Sequence, residues 1–244
     1  MISNALSLMI LLPLLGAIVS FFVGTKAKFV ALIASLAPLV LSLQMYMEFD
    51  KSSTMMQFVE SYNWVPSIGV KYTLGVDGIG FPLVLLSTIV TVLVIIYSWG
   101  ETKKPNQYFA LLLLNEVGVL GVFTALDFFL FYIFWEIVLI PMFFLIGSWG
   151  GPRKDYAAIK FFIYTHVASL VMLLAIFALY FTYQLPDGSR TFDMLTLLKA
   201  TQNPEIFPKA LLNIIFAGLL LGFLVKMPAF PFHTWLPDAH VEAP

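Results

Sequence analysis

The sequence predicts an all-α fold, a polytopic bundle of about seven transmembrane helices. Three observations predict it. The 244-residue chain is 60% hydrophobic and only 11% charged, with a mean hydropathy of +0.93, whereas soluble domains carry roughly 25% charged residues. Seven stretches approach the ~20 apolar residues that a helix needs to cross a bilayer. Short basic loops alternate with longer, acid-richer ones, the pattern that positive-inside sorting imposes on multi-pass proteins.

The predicted spans are Ala5–Gly24, Phe29–Met47, Ile79–Trp99, Tyr108–Ala125, Phe128–Trp149, Ile159–Tyr183 and Pro208–Lys226. The first lacks the basic leader and small-residue cleavage pattern of a signal peptide, so it reads as a span. The fourth and fifth are joined almost directly through Leu126 and Asp127, which requires a tight antiparallel pair. The sixth is long enough to tilt. Lys26 with Lys28, Lys103 with Lys104, and Arg153 with Lys154 mark the cytoplasmic loops and leave the N-terminus outside. Between the second and third spans, from Phe49 to Gly78, QFVESYNW and GVKYTLGVDG alternate in polarity around Pro66 and Gly69, which predicts a short external β-hairpin. Gly118 with Gly121, and Gly218 with Gly222, predict close helix contacts.

The seventh span is where chemistry gathers. Its run Ala210 to Val225 holds no ionisable residue and ends on Lys226, followed by Pro228, Pro231 and Pro237. A continuous helix from Pro208 to His240 would extend roughly 48 Å, well beyond a hydrocarbon core of about 30 Å. Proline removes helical hydrogen bonds, and broken backbone at membrane depth is tolerated only against protein or a watery cavity. One resolution is an outer half-helix to Lys226, a break at Met227–Pro231, and an inner half-helix through PFHTWLPDAH. That arrangement sets the last carbonyls of the outer half beside an ammonium. The other resolution is a span that ends at the interface, with Lys226 snorkelling.

Charged residues inside membrane spans are rare and mark ion paths. Glu136 lies within FFLFYIFWEIVLIPMFFLIG, five residues before a helix-loosening Pro141. Facing Lys226 across helices, it would form a pair whose titrations are coupled, a switch that releases a proton when the two move apart. Glu116, in LLLLNEVGVLGVF, either shares such a path or hydrogen-bonds to nearby backbone or Asn115. Lys160 is either a snorkelling side chain or a second buried lysine. His166 reads as a helix-packing histidine, with proton relay as its alternative.

The same residues exclude several function classes. The absence of cysteine rules out disulfides, thiolate-bound zinc and iron–sulfur clusters within the chain, and a net charge of −1 argues against nucleic-acid binding. His233, Asp238, His240 and Glu242 have no standard zinc spacing and read as a polar cap over the break, able to pass protons between Lys226 and the cytoplasm. The glycines of GVDGIG follow no βα unit, so a nucleotide site there is unsupported. No nucleophile–base constellation or phosphate loop occurs, and no cofactor and no metal is expected in this chain.

Four strings, GVDGIGFPLVLLSTI, ALDFFLFYIFWEIVLIPMFFLIGSWGG, AAIKFFIYT and LVKMPAFPFHTWLPDAHVEAP, resemble the antiporter-like membrane subunits of respiratory complex I, specifically the M-type or chain 4 subunit. The resemblance runs from about Leu74 to Pro244, with the first two spans compatible. It implies a cofactor-free proton channel built from inverted repeats after three leading spans. It also assigns the essential buried glutamate to Glu136 and the lysine of the broken helix to Lys226, and it gives Lys160 added functional weight. Residues 1–106 would then be three leading helices with the external hairpin-like loop. Residues 107–244 would be an incomplete first repeat with a broken seventh helix. Family members have about twice as many spans, so a fragment or truncated product, unable to pump alone, is expected.

The resemblance further implies other membrane subunits as partners, a prokaryotic plasma membrane as the location, and a donor that is NADH, ferredoxin or a reduced deazaflavin. The stretch WEIVLIPMFFLIGSWGG resembles archaeal deazaflavin-oxidising relatives somewhat more closely. The acceptor would be a quinone or phenazine held by another subunit. A subunit of a multisubunit Na+/H+ antiporter is the alternative, and a non-transporting membrane scaffold is a third reading.

Overall fold

A computed structural model describes residues 4–244. Seven helices in it are long and apolar enough to cross a membrane: α1 (Ala5–Phe22), α2 (Ala27–Glu48), α3 (Gly80–Tyr97), α4 (Pro105–Thr124), α5 (Phe128–Trp149), α6 (Lys154–Thr182) and α8 (Lys209–Lys226). Two short helices, α7 (Met194–Ala200) and α9 (Trp235–Glu242), complete the set. Each of the seven predicted spans corresponds to one of the long helices. The largest difference is that α6 begins at Lys154 and not at Ile159. The Glu242 carboxylate accepts the Arg153 N–H at 2.8 Å, which supplies the polar partner this helix start needs.

Basic loops gather at one end. The Lys103 ammonium donates to the Ser148 carbonyl at 2.5 Å, Lys154 donates to the same carbonyl at 3.2 Å, and the Trp149 indole donates to the Lys103 carbonyl at 2.7 Å. Asn106 donates to Phe21 O at 3.0 Å. The three loops assigned to one side by charge counting are therefore neighbours in space.

The opposite end is closed by extended backbone. β1 (Gln57–Val65) and β2 (Val70–Val76) form the predicted antiparallel hairpin, turning through Pro66–Ile68 and Gly69. Gly69 has φ 69°, and a Cβ there would strike the Arg190 carbonyl, so the turn requires glycine. The linker between α4 and α5 extends this layer. Leu126 N donates to Thr73 O at 2.9 Å, Phe128 N to Phe192 O at 2.9 Å, and Met194 N to Leu126 O at 2.9 Å. Asp127, fully buried, caps α5 by accepting from Phe129 N and Leu130 N, and it also accepts Lys71 N at 3.0 Å. Two predicted spans joined by two residues thus become a helical hairpin clamped between strands.

The glycines permit the close contacts expected of them. A Cβ on Gly121 would overlap the Phe134 ring, and one on Gly118 would come within 2.6 Å of Val138. On α8, Cβ atoms at Gly218 and Gly222 would each lie 2.9 Å from α6, against Ala175 and Met172. Small residues here let the helices that carry the ionisable groups approach one another.

Candidate proton-transfer site

The seventh span is broken. α8 ends at Lys226, turns occupy the stretch from Met227 to Thr234, and α9 begins at Trp235. The break is longer than predicted because residues 231–234 join the turn and not the inner half-helix. The terminal carbonyls of α8 are not left to the ammonium either, contrary to the sequence reading. Phe223 O accepts Met227 N at 2.8 Å, Leu224 O accepts Ala229 N at 2.9 Å, and Val225 O accepts the Trp235 indole N–H at 2.9 Å. Turn amides and one tryptophan satisfy the acceptors that a broken helix exposes.

Lys226 instead faces aromatic rings. Its Nζ lies 5.3 Å from the centroid of Trp135 on α5 and 6.0 Å from that of Phe161 on α6, within range of cation–π attraction. It also lines a cavity of about 270 Å³ together with Asn115, Trp235, Ala239 and His240. Among the described residues the ion pairs are Arg153–Asp238, Lys160–Asp238 and His166–Glu136, so Lys226 is in none of them. The direct Glu136–Lys226 pair drawn from sequence is not formed in this structure.

Glu136 is held by α6. His166 Nδ1 lies 2.9 Å from one carboxylate oxygen, and the Ser169 hydroxyl donates to the other. The Tyr132 hydroxyl is a further neighbour of Ser169 and Glu136. His166 and Ser169 stand three residues apart and share one helix face, aimed at a helix whose Pro141 has no N–H for Ile137 O. His166 therefore pairs with the central carboxylate. Sequence reasoning missed Ser169 and Tyr132, which carry no charge to distinguish them from ordinary helix residues.

Glu116, on α4, is 2% exposed, and neither of its oxygens has a hydrogen-bond partner. The structure thus contradicts the proposed bond to backbone or Asn115. Asn115 Oδ1 is also unpartnered, and its side chain lines the cavity beside Lys226. Buried polar atoms without partners are few in native structures, and each calls for a bridging water, an ion or a functional role.

Lys160 lies in the second turn of α6. It is 20% exposed and paired to Asp238 Oδ2 at 2.7 Å, with its ammonium 5.6 Å from the Tyr156 ring. Asp238 Oδ1 also meets Arg153 at 3.1 Å. The polar cap expected over the break is therefore divided among several partners: Asp238 faces two cations, Glu242 caps the start of α6, and His240 is exposed beside the cavity. His233 packs at 5.6 Å from the Phe230 ring with its Nδ1 unpartnered.

Comparison with known proteins places this geometry in a family. Residues 125–244 match the family described as "NADH:quinone oxidoreductase/Mrp antiporter, TM". The chain is 49% identical over 241 residues to F(420)H(2) dehydrogenase subunit M of Methanosarcina mazei, covering 98% of this chain and 48% of that one. It is 42% identical over 245 residues to an NAD(P)H-quinone oxidoreductase chain 4 of Microcystis aeruginosa, covering 98% and 42%. A solved structure of respiratory complex I from Thermus thermophilus contains a chain that matches with a TM-score of 0.82 and 26% identity, over 98% of this chain and 47% of that one. The chain spans about half the length of the curated relatives it matches. Glu136, Lys160, His166, Lys226, His233, Asp238 and His240 all lie inside the matched segment, and the chain is a homologue of the M-type, chain 4 subunits within the NADH:quinone oxidoreductase/Mrp antiporter transmembrane family.

Proposed function

We propose that the chain supplies proton-translocating machinery to the membrane arm of a complex I-like oxidoreductase, with Glu136 and Lys226 as the groups that exchange protons. The observation that carries this reading is Lys226 itself. It is the last residue of α8, where the turn begins, is unpaired with any carboxylate among the described residues, and opens onto a cavity. A lysine so placed is useful for transfer because its charge is held by rings and not locked in a salt bridge.

The chemistry is proton exchange alone. An approaching Glu136 carboxylate favours the ammonium form of Lys226, and a retreating one favours its deprotonation. A redox-driven rearrangement elsewhere in the complex would move the carboxylate, and Lys226 would release its proton toward the cavity. Glu116, Asn115, His233 and His240 extend the polar path around that cavity, while Asp238 and Lys160 hold the inner half-helix in place. Residues 1–106 form the leading three-helix part with its external hairpin, and 107–244 the repeat that carries the switch.

The oxidoreductase partners lie in other subunits, and the greater identity to an F(420)H(2) dehydrogenase subunit than to the chain 4 relative favours a reduced deazaflavin donor. The charge distribution supports an external N-terminus in a prokaryotic plasma membrane. A second reading, as a Na+/H+ antiporter subunit, is favoured by the Mrp antiporter half of the family description.

The test is Glu136→Gln in the complete complex, reconstituted in vesicles. Proton uptake driven by electron transfer should be lost while assembly is preserved, and unchanged uptake would reject the reading. Transport that requires a sodium gradient and proceeds without electron transfer would support the antiporter.

A further inference from the structure

We propose that Glu136 is shared between two cationic partners, His166 and Lys226, and that the switch works by partner exchange. This rests on the proton-transfer reading above and names its second nitrogen base. Four observations support it. Glu136 is oriented toward α6 by two contacts, His166 Nδ1 at 2.9 Å and the Ser169 hydroxyl on the other oxygen. The His166 ring stacks on Phe162 at 5.3 Å with an interplanar angle of 23°, so a positive imidazolium there has both an anion and a π face. Lys226 occupies a separate aromatic box made by Trp135 and Phe161, and Trp135 is the residue adjacent to Glu136. The helix between the two partners contains Pro141, which frees the Ile137 carbonyl and softens the backbone one residue from the carboxylate.

The proton count follows from these positions. With the carboxylate on His166, as in this structure, the imidazolium keeps its proton and the Lys226 ammonium, held only by the Trp135 and Phe161 rings, is free to give its own to water in the cavity and become an amine. When the carboxylate turns to Lys226, the amine takes up a proton from water. The imidazolium then loses its anion and releases one proton. On the return the imidazole takes up a proton from water as Lys226 releases its own, so each half-cycle binds one proton at one nitrogen and releases one from the other, water carries both, and Glu136 stays a carboxylate throughout. Histidine suits this role because it is the side chain whose charge changes nearest neutral pH. The ionisable groups around it are Glu136 and Tyr132 of α5, with Lys226 of α8 near enough to Glu136 to feel its charge.

The experiment is His166→Gln in the complete complex in vesicles. Glutamine can still donate a hydrogen bond to Glu136 but cannot carry a proton. Proton uptake per electron should fall below wild type, with the amount of assembled complex and the uncoupled electron-transfer rate unchanged. His166→Ala with exogenous imidazole should restore part of the uptake. If His166→Gln keeps wild-type uptake while Glu136→Gln abolishes uptake, partner exchange is wrong and the proton-transfer reading stands. If Glu136→Gln also leaves uptake intact, the proton-transfer reading itself is wrong.

Discussion

The Asp238 carboxylate of α9 takes the Lys160 ammonium of α6 at 2.7 Å. The same carboxylate meets Arg153 at 3.1 Å, and four residues on, Glu242 accepts the Arg153 N–H through its side chain and the Gly151 N–H through its carbonyl. The inner half-helix is thereby tied along one side to the start of α6, while Trp235, Ala239 and His240 border the cavity with Lys226. A helix of eight residues is too short to be stable alone, so these ties and the Trp235 contact hold it.

Asp238→Ala removes the shared anion and should loosen α9. The chain has no cysteine, so a cysteine placed at His240 gives a clean reporter. Thiol labelling of that cysteine should be several-fold faster in the Asp238→Ala background than with Asp238 present. Equal labelling rates would show that the ion pairs do not hold the half-helix.

Glu60 on the hairpin fastens the opposite end. Its carboxylate accepts Leu6 N at 2.8 Å, Ser7 N, and the Ser7 hydroxyl, which satisfies amides at the start of α1 that no helix turn can reach. Glu60→Ala should cost about 2–3 kcal/mol, seen as a lower thermal midpoint in detergent. The loss should be larger than that from substituting the exposed Glu48.

Glu116 makes a contrasting prediction. Both of its oxygens are buried without partners, a costly state for a charged carboxylate. Glu116→Gln should therefore leave assembly and thermal midpoint unchanged or slightly raised while lowering proton uptake. A marked loss of stability would mean that the carboxylate has a structural partner.

Gly121 faces the Phe134 ring on the helix that carries Glu136. Gly121→Ala should displace that ring at a cost of about 1–3 kcal/mol and shift α5 against α4. The checks are the thermal midpoint and the fraction of complex assembled.

The spans were legible because apolar run length is a one-dimensional property. Every predicted span found its helix, and the hairpin appeared where alternation around Pro66 and Gly69 announced it. The break after Lys226 was legible too, since three prolines follow one lysine. What could not be read was which side chain met which. Glu136 and Lys226 each stood out as charges in apolar runs, yet which partner Glu136 meets depends on the rotation of α5 relative to α6 and α8, and a serine and a histidine three residues apart gave no signal of that. Lys160 and Asp238 are 78 positions apart, and only the continuation of the chain past the break toward the start of α6 brings them together. The α8 carbonyls were misread for the same reason, because the donor to Val225 is a tryptophan beyond the turn.

Lys226→Ala tests the central claim most directly, with protons counted per electron in sealed vesicles holding the complete complex. The account predicts that electron transfer persists when uncoupler is added and that the proton-to-electron ratio falls below wild type. A wild-type ratio in fully assembled Lys226→Ala complex would contradict it.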